Sequence, residues 1–182
     1  RNQTISMKRI LAFGASTSSL SINKQFAHYA AQQLKDVELI LADLNDFAAP
    51  LYSMDLELSD GIPDSVKRFK ECVGYMDGLV ISLAEHNGNY TAAFKNLMDW
   101  MSRMEGKTWS EKKVFLLSTS PGGRGGKSVH DLALASMPRL GATITASFSL
   151  PSFGDNFSTE GIKDSELAKT FREQLEIFEA SL

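Results

Sequence analysis

One cysteine, Cys72, stands in 182 residues, which excludes an internal disulfide and any multi-cysteine metal or iron–sulfur site. No apolar run approaches the roughly 20 residues of a membrane span. Positive charge is not in excess. Lys and Arg number 19 against 22 Asp and Glu, a net charge of −3, which argues against nucleic acid and anionic membrane as partners. Thirteen glycines and five prolines are too few for collagen-like or proline-rich segments. There is no GxSxG elbow and no GxGxxG fingerprint. His28, His86 and His130 lie on separate segments without paired ligand spacing, so no metal site is expected. No secretory leader is read either. Arg1 to Ser6 are polar, Met7 reads as the natural start, and residues 1–6 read as an expression remnant. The Asn-x-Ser/Thr triplets at Asn2, Asn89 and Asn156 are then chance matches, and the expected location is cytoplasmic.

What is present is a composition of 43% apolar residues and a length that suits one domain, residues 7–182, with a sizeable core. Short apolar runs at 10–13, 37–42, 78–83, 114–117 and 143–150 read as strands. Between and after them, apolar residues recur at helical spacing. Asn23, Ala27, Ala30 and Leu34 form one such series, and Val66, Phe69, Val73 and Met76 another. Phe94, Leu97, Met98 and Met101 form a third, Val129 to Leu140 a fourth, and Leu167 to Phe178 a fifth. Strand–helix, five times over, predicts a parallel sheet with helices on both faces. Residues 44–61 read as a long loop. Cys72, beside Val73, reads as packed rather than nucleophilic.

In such sheets ligands bind beyond the carboxyl ends of the strands. The first such loop, Ala15 to Asn23, holds Ser16, Thr17, Ser18, Ser19 and Ser21 and opens a helix. Hydroxyls and free amides at a helix start suit a phosphate, and equally suit a helix cap. The third, Ala84 to Tyr90, contains the turn signal Asn87-Gly88, with His86 and Tyr90 placed to flank a flat ring or simply to close a turn. The fourth, Ser118 to Ser128, carries Gly122, Gly123, Gly125 and Gly126. It fails the phosphate-loop spacing, because the position five before Gly126 is Pro121, and backbone close against a flat ring is the better use of those glycines.

Together these loops resemble the NADPH-dependent FMN reductase family, the flavodoxin-like quinone, azo and chromate reductases. The family's first loop, G-S-x-R-x-x-S-x-N, is matched at Ser16, Ser21 and Asn23, with Ala15 in place of Gly and Ser18 in place of Arg. Its third loop is matched at Glu85, Asn87, Lys95, Asn96, Asp99 and Trp100, with Ala84 in place of Pro and His86 in place of Tyr. Asp43 to Phe47, Pro50 to Tyr52 and Ser120 to Gly126 are also similar to the family.

The resemblance implies a three-layer αβα sandwich with strand order 2-1-3-4-5. It implies non-covalent FMN held by Ser16, Ser18, Ser21, Ile22, Asn23, Ala84, Glu85, His86, Asn87, Gly88, Ser118, Ser120, Gly122, Gly123 and Arg124. It implies NAD(P)H as co-substrate and hydride passed through the flavin by ping-pong kinetics to a quinone, flavin or similar small acceptor, for which no protein acid or base is strictly needed. The backbone of Gly122 and Gly123, expected at a helix start, would face the flavin edge. A homodimer or homotetramer is implied, with residues 44–61 and the Met98–Met101 helix as contact candidates. A flavodoxin-type electron carrier or a redox sensor with little turnover is the alternative.

Overall fold

Five strands pair in parallel in the order β2-β1-β3-β4-β5, with β1 at Lys8–Gly14, β2 at Val37–Leu41, β3 at Gly78–Leu83, β4 at Lys113–Thr119 and β5 at Thr143–Leu150. This is the flavodoxin-like arrangement the resemblance implies. The structure, a computed structural model, describes residues 6–182, so the Asn2 triplet and residues 1–5 of the expected expression remnant lie outside the described residues. The three central strands carry the most continuous apolar runs because helices cover both faces. β2 is an edge strand, and its Ile40 and Leu41 are partly exposed.

Alternation along each strand divides the core in two. Ile10, Ala12, Val80, Phe115 and Leu117 meet α1 (Ile22–Gln32) and the later C-terminal helix on one face. Leu11, Phe13, Leu79, Ile81, Val114 and Leu116 face the other way, under α3 (Asp64–Tyr75), α4 (Ala92–Met101) and α5 (Lys127–Ser136). The first face is closed by an aromatic cluster in which Phe171 packs against Phe26, Phe115 and Phe148 at ring separations of 5.6–6.0 Å.

The segment 44–61 is not a plain loop. It holds a 3-10 turn at Leu44–Phe47 and a short helix, α2 (Met54–Asp60). α4 straps it down. Asn96 accepts from the Tyr52 amide at 2.8 Å, Trp100 Nε1 donates to the Pro50 carbonyl at 2.7 Å, and Arg103 pairs with Glu57 at 2.9 Å. Those partners lie 44 to 50 residues on, so no local pattern announces them. The strap buries Trp100 completely and leaves Leu51, Met54 and Leu58 exposed.

Two further departures have local causes. Pro138 cannot continue the i to i−4 ladder, and the helix read through Leu140 ends at Ser136, followed by a 3-10 turn. After β5 come α6 (Phe153–Asn156) and a two-residue hairpin of β6 (Phe157–Ser158) and β7 (Gly161–Ile162), before the final helix α7 (Ser165–Ser181). Among the described residues no helix is long and apolar enough to cross a membrane.

α1 is anchored to the end of β2 by Lys24, whose ammonium lies 2.7 Å from Asp43. That contact and the Asn45 amide hold the Asp43 carboxyl at about 2, below its ordinary 3.8. A depressed pKa gives stability that is present above the ordinary value and lost as pH falls through the folded one. Acid unfolding between about pH 4 and pH 2 is therefore expected to be less steep in Asp43→Asn than in the parent, measured by urea midpoints across that range. Equal slopes would show that the pair adds nothing.

Candidate functional site at the strand ends

β1 ends at Gly14, and α1 crosses directly over it. An added Cβ there would stand 2.3 Å from the Lys24 amide nitrogen and 2.6 Å from Lys24 Cα. The close approach swings the start of α1 in over the carboxyl ends of β3 and β4. Ser21 caps α1 by accepting from the Lys24 amide at 3.1 Å, and Ser16 Oγ accepts from the Ser18 amide at 3.1 Å. The amides of Ile22 and Asn23 find no acceptor among the described residues. Capping and free donors therefore coexist, so the two readings of the serine-rich loop are not exclusive.

Asn23 joins three segments. Its Oδ1 accepts from Ser82 Oγ at 2.7 Å and from the Thr119 amide at 3.1 Å, and its Nδ2 donates to the Thr119 carbonyl at 3.1 Å. It is 2% exposed, so these bonds are sheltered from water.

The third loop is a tight hairpin. His86 and Asn89 exchange both backbone hydrogen bonds, at 2.9 and 3.1 Å. Asn87 and Gly88 both have positive φ, 53° and 74°, the signature of a type I′ turn. The turn separates the two rings read as flankers. His86 stays exposed at the strand ends, whereas Tyr90 is buried against Phe94 and lines a different cavity, of about 310 Å³, between α4 and α5. Burial raises the Tyr90 phenol pKa.

A cavity of about 240 Å³ opens where these pieces meet. Ser16, Ser18, Leu20 and the start of α1 form one wall, Ala84, Glu85 and His86 a second, and Thr119, Ser120 and Pro121 a third. A neighbouring cavity of about 350 Å³ shares Ser16, Ser18 and His86 with it and is completed by Thr17, Thr91, Ala92 and Ala93. The residues expected at the site thus separate into two groups. Ser16, Ser18, Ser21, Ile22, Asn23, Ala84, Glu85, His86 and Ser120 come together on the first cavity, whereas Asn87, Gly88, Ser118, Gly122, Gly123 and Arg124 do not line it.

Each absence from the wall has a cause. Asn87 and Gly88 form the outer tip of the hairpin. Ser118 is fully buried beneath the glycine-rich loop, with its Oγ 2.8 Å from the Gly125 carbonyl and 2.9 Å from His130 Nδ1. Gly122 and Gly123 are not at a helix start. Gly125 and Gly126, at φ 59° and 75°, hold a turn, and α5 begins only at Lys127. Arg124 points along its own segment to Ser128 at 3.1 Å.

What the wall offers an anion is hydrogen-bond donors at the start of α1 rather than a cation. The one carboxylate on the wall, Glu85, has an oxygen committed to the Val129 amide at 2.8 Å, at the first turn of α5. Lys24 is spent on Asp43, so neutral hydroxyls and amides are the donors. His28 Nε2 donates to the Ala42 carbonyl, 3.0 Å away, and burial lowers its pKa. Burial lowers that of His130 as well and raises that of the Cys72 thiol, which suits a packed cysteine. Among the described residues no group of three or more His, Cys, Asp and Glu is placed to hold a metal ion.

Sequence reasoning missed Gly14 and the clamp made by Asn23. A glycine at a strand end just before a helix-opening loop was the signal available for the first. The second spans 96 residues and had none.

Comparison with known proteins places these features in a context. The sequence model of a family described as NADPH-dependent FMN reductase matches residues 8–155. A 2-hydroxy-1,4-benzoquinone reductase from a Burkholderia species is 36% identical over 107 residues, 58% of this chain and 56% of that one. A quinone reductase of Escherichia coli K12 is 34% identical over 77 residues, 42% of this chain and 41% of that one. The matched stretches thus span about half the length of these relatives. Among solved structures, the flavoenzyme NAD(P)H:(acceptor) oxidoreductase of Paracoccus denitrificans superimposes with a TM-score of 0.75 at 23% identity, covering 96% of each chain, which shows the shared fold.

Proposed function

Since the chain belongs to the NADPH-dependent FMN reductase family, we propose that it is an FMN-dependent NAD(P)H oxidoreductase acting on a quinone, a flavin or a similar small acceptor. The observation that carries the reading is the convergence of three loops on one cavity at the point where strand order reverses between β1 and β3. The donor set fits a flavin mononucleotide. The free amides of Ile22 and Asn23, with the hydroxyls of Ser16, Ser18 and Ser21, suit its phosphate at the positive end of α1. Ala84, Glu85 and His86 on one side and Thr119, Ser120 and Pro121 on the other would hold the ring. A cavity of about 240 Å³ is small for a whole mononucleotide, so part of the ring would stay open for NAD(P)H and the acceptor to use in turn. That shared face is the reason to expect ping-pong kinetics.

Bound there, FMN would supply the two-electron chemistry between NAD(P)H and the acceptor. The residues around it bind, orient and exclude water. Residues 7–182 would form the one FMN-binding unit. A cytoplasmic setting, where NAD(P)H is at hand, belongs to the same reading. So does a homodimer or homotetramer, with the exposed Leu51, Met54 and Leu58 beside α4 as its contact face.

The test is an absorbance spectrum of the purified protein before and after FMN is added, then NADPH under anaerobic conditions. Flavin bands that bleach with NADPH and return with a benzoquinone are the expected result. Bound flavin that NADPH cannot bleach favours the carrier or sensor. Absence of flavin binding after titration overturns the reading.

A further inference from the structure

His86 differs from every other side chain at the strand ends. It belongs to the wall shared by the two cavities. Its imidazole nitrogens have no hydrogen-bond partner among the described residues, while both its backbone groups are fixed by the hairpin. The base is held and the ring is unspent. The second cavity has no other ionisable side chain in its wall, which is otherwise Ser16, Thr17, Ser18, Thr91, Ala92 and Ala93. Thr91 is already used, since its hydroxyl donates to the Ala15 carbonyl at 2.8 Å and accepts from the Phe94 amide at 3.3 Å.

Building on the reductase reading, we propose that the second cavity is the acceptor subsite and that His86 is its specificity-determining and proton-donating residue, suited to a one- or two-ring quinone. A quinone that gains two electrons and one proton as hydride needs a second proton to become the hydroquinone. The electrons come from NAD(P)H by way of the cofactor. The second proton leaves the His86 imidazolium for the quinone oxygen opposite the one reduced. The ring, now neutral, regains a proton from water at its exposed edge. A volume of about 350 Å³ admits one or two flat rings, and the Thr17 hydroxyl in the same wall offers a further donor to a carbonyl oxygen.

On the elements that meet at the strand ends the charged groups are otherwise engaged. On its own segment Glu85 is tied to Val129, and on α1 Lys24 is paired with Asp43. On α4 Lys95 is paired with Asp99, and on the glycine-rich loop Arg124 reaches Ser128. Among the described residues the wall of the second cavity holds no carboxyl group to donate the proton in place of His86. A step that takes its proton from one side chain should depend on pH and lose that dependence when the side chain is replaced.

The experiment compares the FMN-loaded protein with its His86→Gln variant. Stopped-flow absorbance separates bleaching by NADPH from reoxidation by 1,4-benzoquinone, from pH 5 to pH 8. The expected result is a reoxidation rate at least about tenfold lower in the variant at pH 6, a larger loss than in the bleaching step, and loss of the pH dependence that the parent shows. A second readout needs no turnover. Nitrogen NMR of the oxidised, loaded parent should show the His86 ring shifting toward its protonated form when benzoate, a flat ring that cannot be reduced, is added. Reoxidation with unchanged rate and pH profile in the variant overturns the proposal, as does a His86 ring indifferent to benzoate. A parent whose flavin NADPH does not bleach overturns the reductase reading and this proposal with it, so the two failures are told apart.

Discussion

Gly14→Ala is expected to cost about 3 kcal/mol of stability, at the upper end of overpacking effects, and to abolish tight FMN binding. The three nearest atoms to the added Cβ are all backbone: Lys24 N at 2.3 Å, Lys24 Cα at 2.6 Å and Asn23 C at 2.7 Å. No rotamer change can relieve such a contact. The first turn of α1 must move by about 1 Å to restore ordinary separation. That turn carries the unpaired amides of Ile22 and Asn23 and the Asn23 side chain, so displacement strikes the sheet bracket and the anion-facing donors together. A loss of about 3 kcal/mol is roughly a hundredfold in the folded-to-unfolded ratio. Urea unfolding reads it directly, and fluorescence titration with FMN reads the second effect. Gly74→Ala is the control. It lies exposed in α3 with nothing within 4 Å of the added Cβ, and should be neutral or stabilising by up to about 1 kcal/mol. A Gly14→Ala protein as stable as the parent would mean that α1 does not lie this close to β1.

The legible and illegible parts of this structure divide by sequence distance. Strands such as Gly78–Leu83, buried at every position and apolar at all but Ser82, and helices such as Ala92–Met101, with Phe94, Leu97, Met98 and Met101 on one stripe, are set by patterns a few residues long. The Asn87-Gly88 turn is equally local, since both residues tolerate positive φ. The helix cap in the serine-rich loop was legible for the same reason, as Ser21 stands at the helix start and accepts from the Lys24 amide. What escaped was decided by distant partners. Tyr90 and His86 are four residues apart, but packing against Phe94 and α5 takes Tyr90 into the core on the far side of the hairpin. The start of α5 was misplaced because the helix cannot begin until the left-handed pair Gly125-Gly126 has turned the chain, where Ser118 and Ser149 both hold the Gly125 carbonyl at 2.8 Å. Glu85 matched a family position, but its bond to Val129 could be known only once α5 was placed.

The same argument gives Asn23 the second large effect. Asn23→Ala should destabilise the protein by about 3 kcal/mol, because three groups on two strands lose their partner: the Ser82 hydroxyl and the Thr119 amide and carbonyl. Ser82 is fully buried and Thr119 is 1% exposed, so water reaches them poorly and each unmade bond costs about 1 kcal/mol or more. A carboxamide is required because the site asks for one acceptor edge and one donor edge. Asn23→Asp keeps the shape and supplies the acceptor edge. It then presents oxygen to the Thr119 carbonyl where the parent has an N–H donor at 3.1 Å. Protonation of the introduced carboxyl removes that repulsion, so folding raises its pKa above the unfolded value. A raised pKa gives stability that is present in acid and lost as pH rises through the folded value. Asn23→Asp should therefore lie nearer the parent at about pH 4 than at pH 7, a trend opposite in sign to that expected from Asp43. Asn23→Ala has no such carboxyl, and its deficit should stay nearly constant over the same range. Urea midpoints of the two variants at both pH values decide the matter. If Asn23→Asp shows no gain in acid relative to Asn23→Ala, the Nδ2 to Thr119 bond does not hold the start of α1 to the end of β4, and the cavity between them needs another explanation.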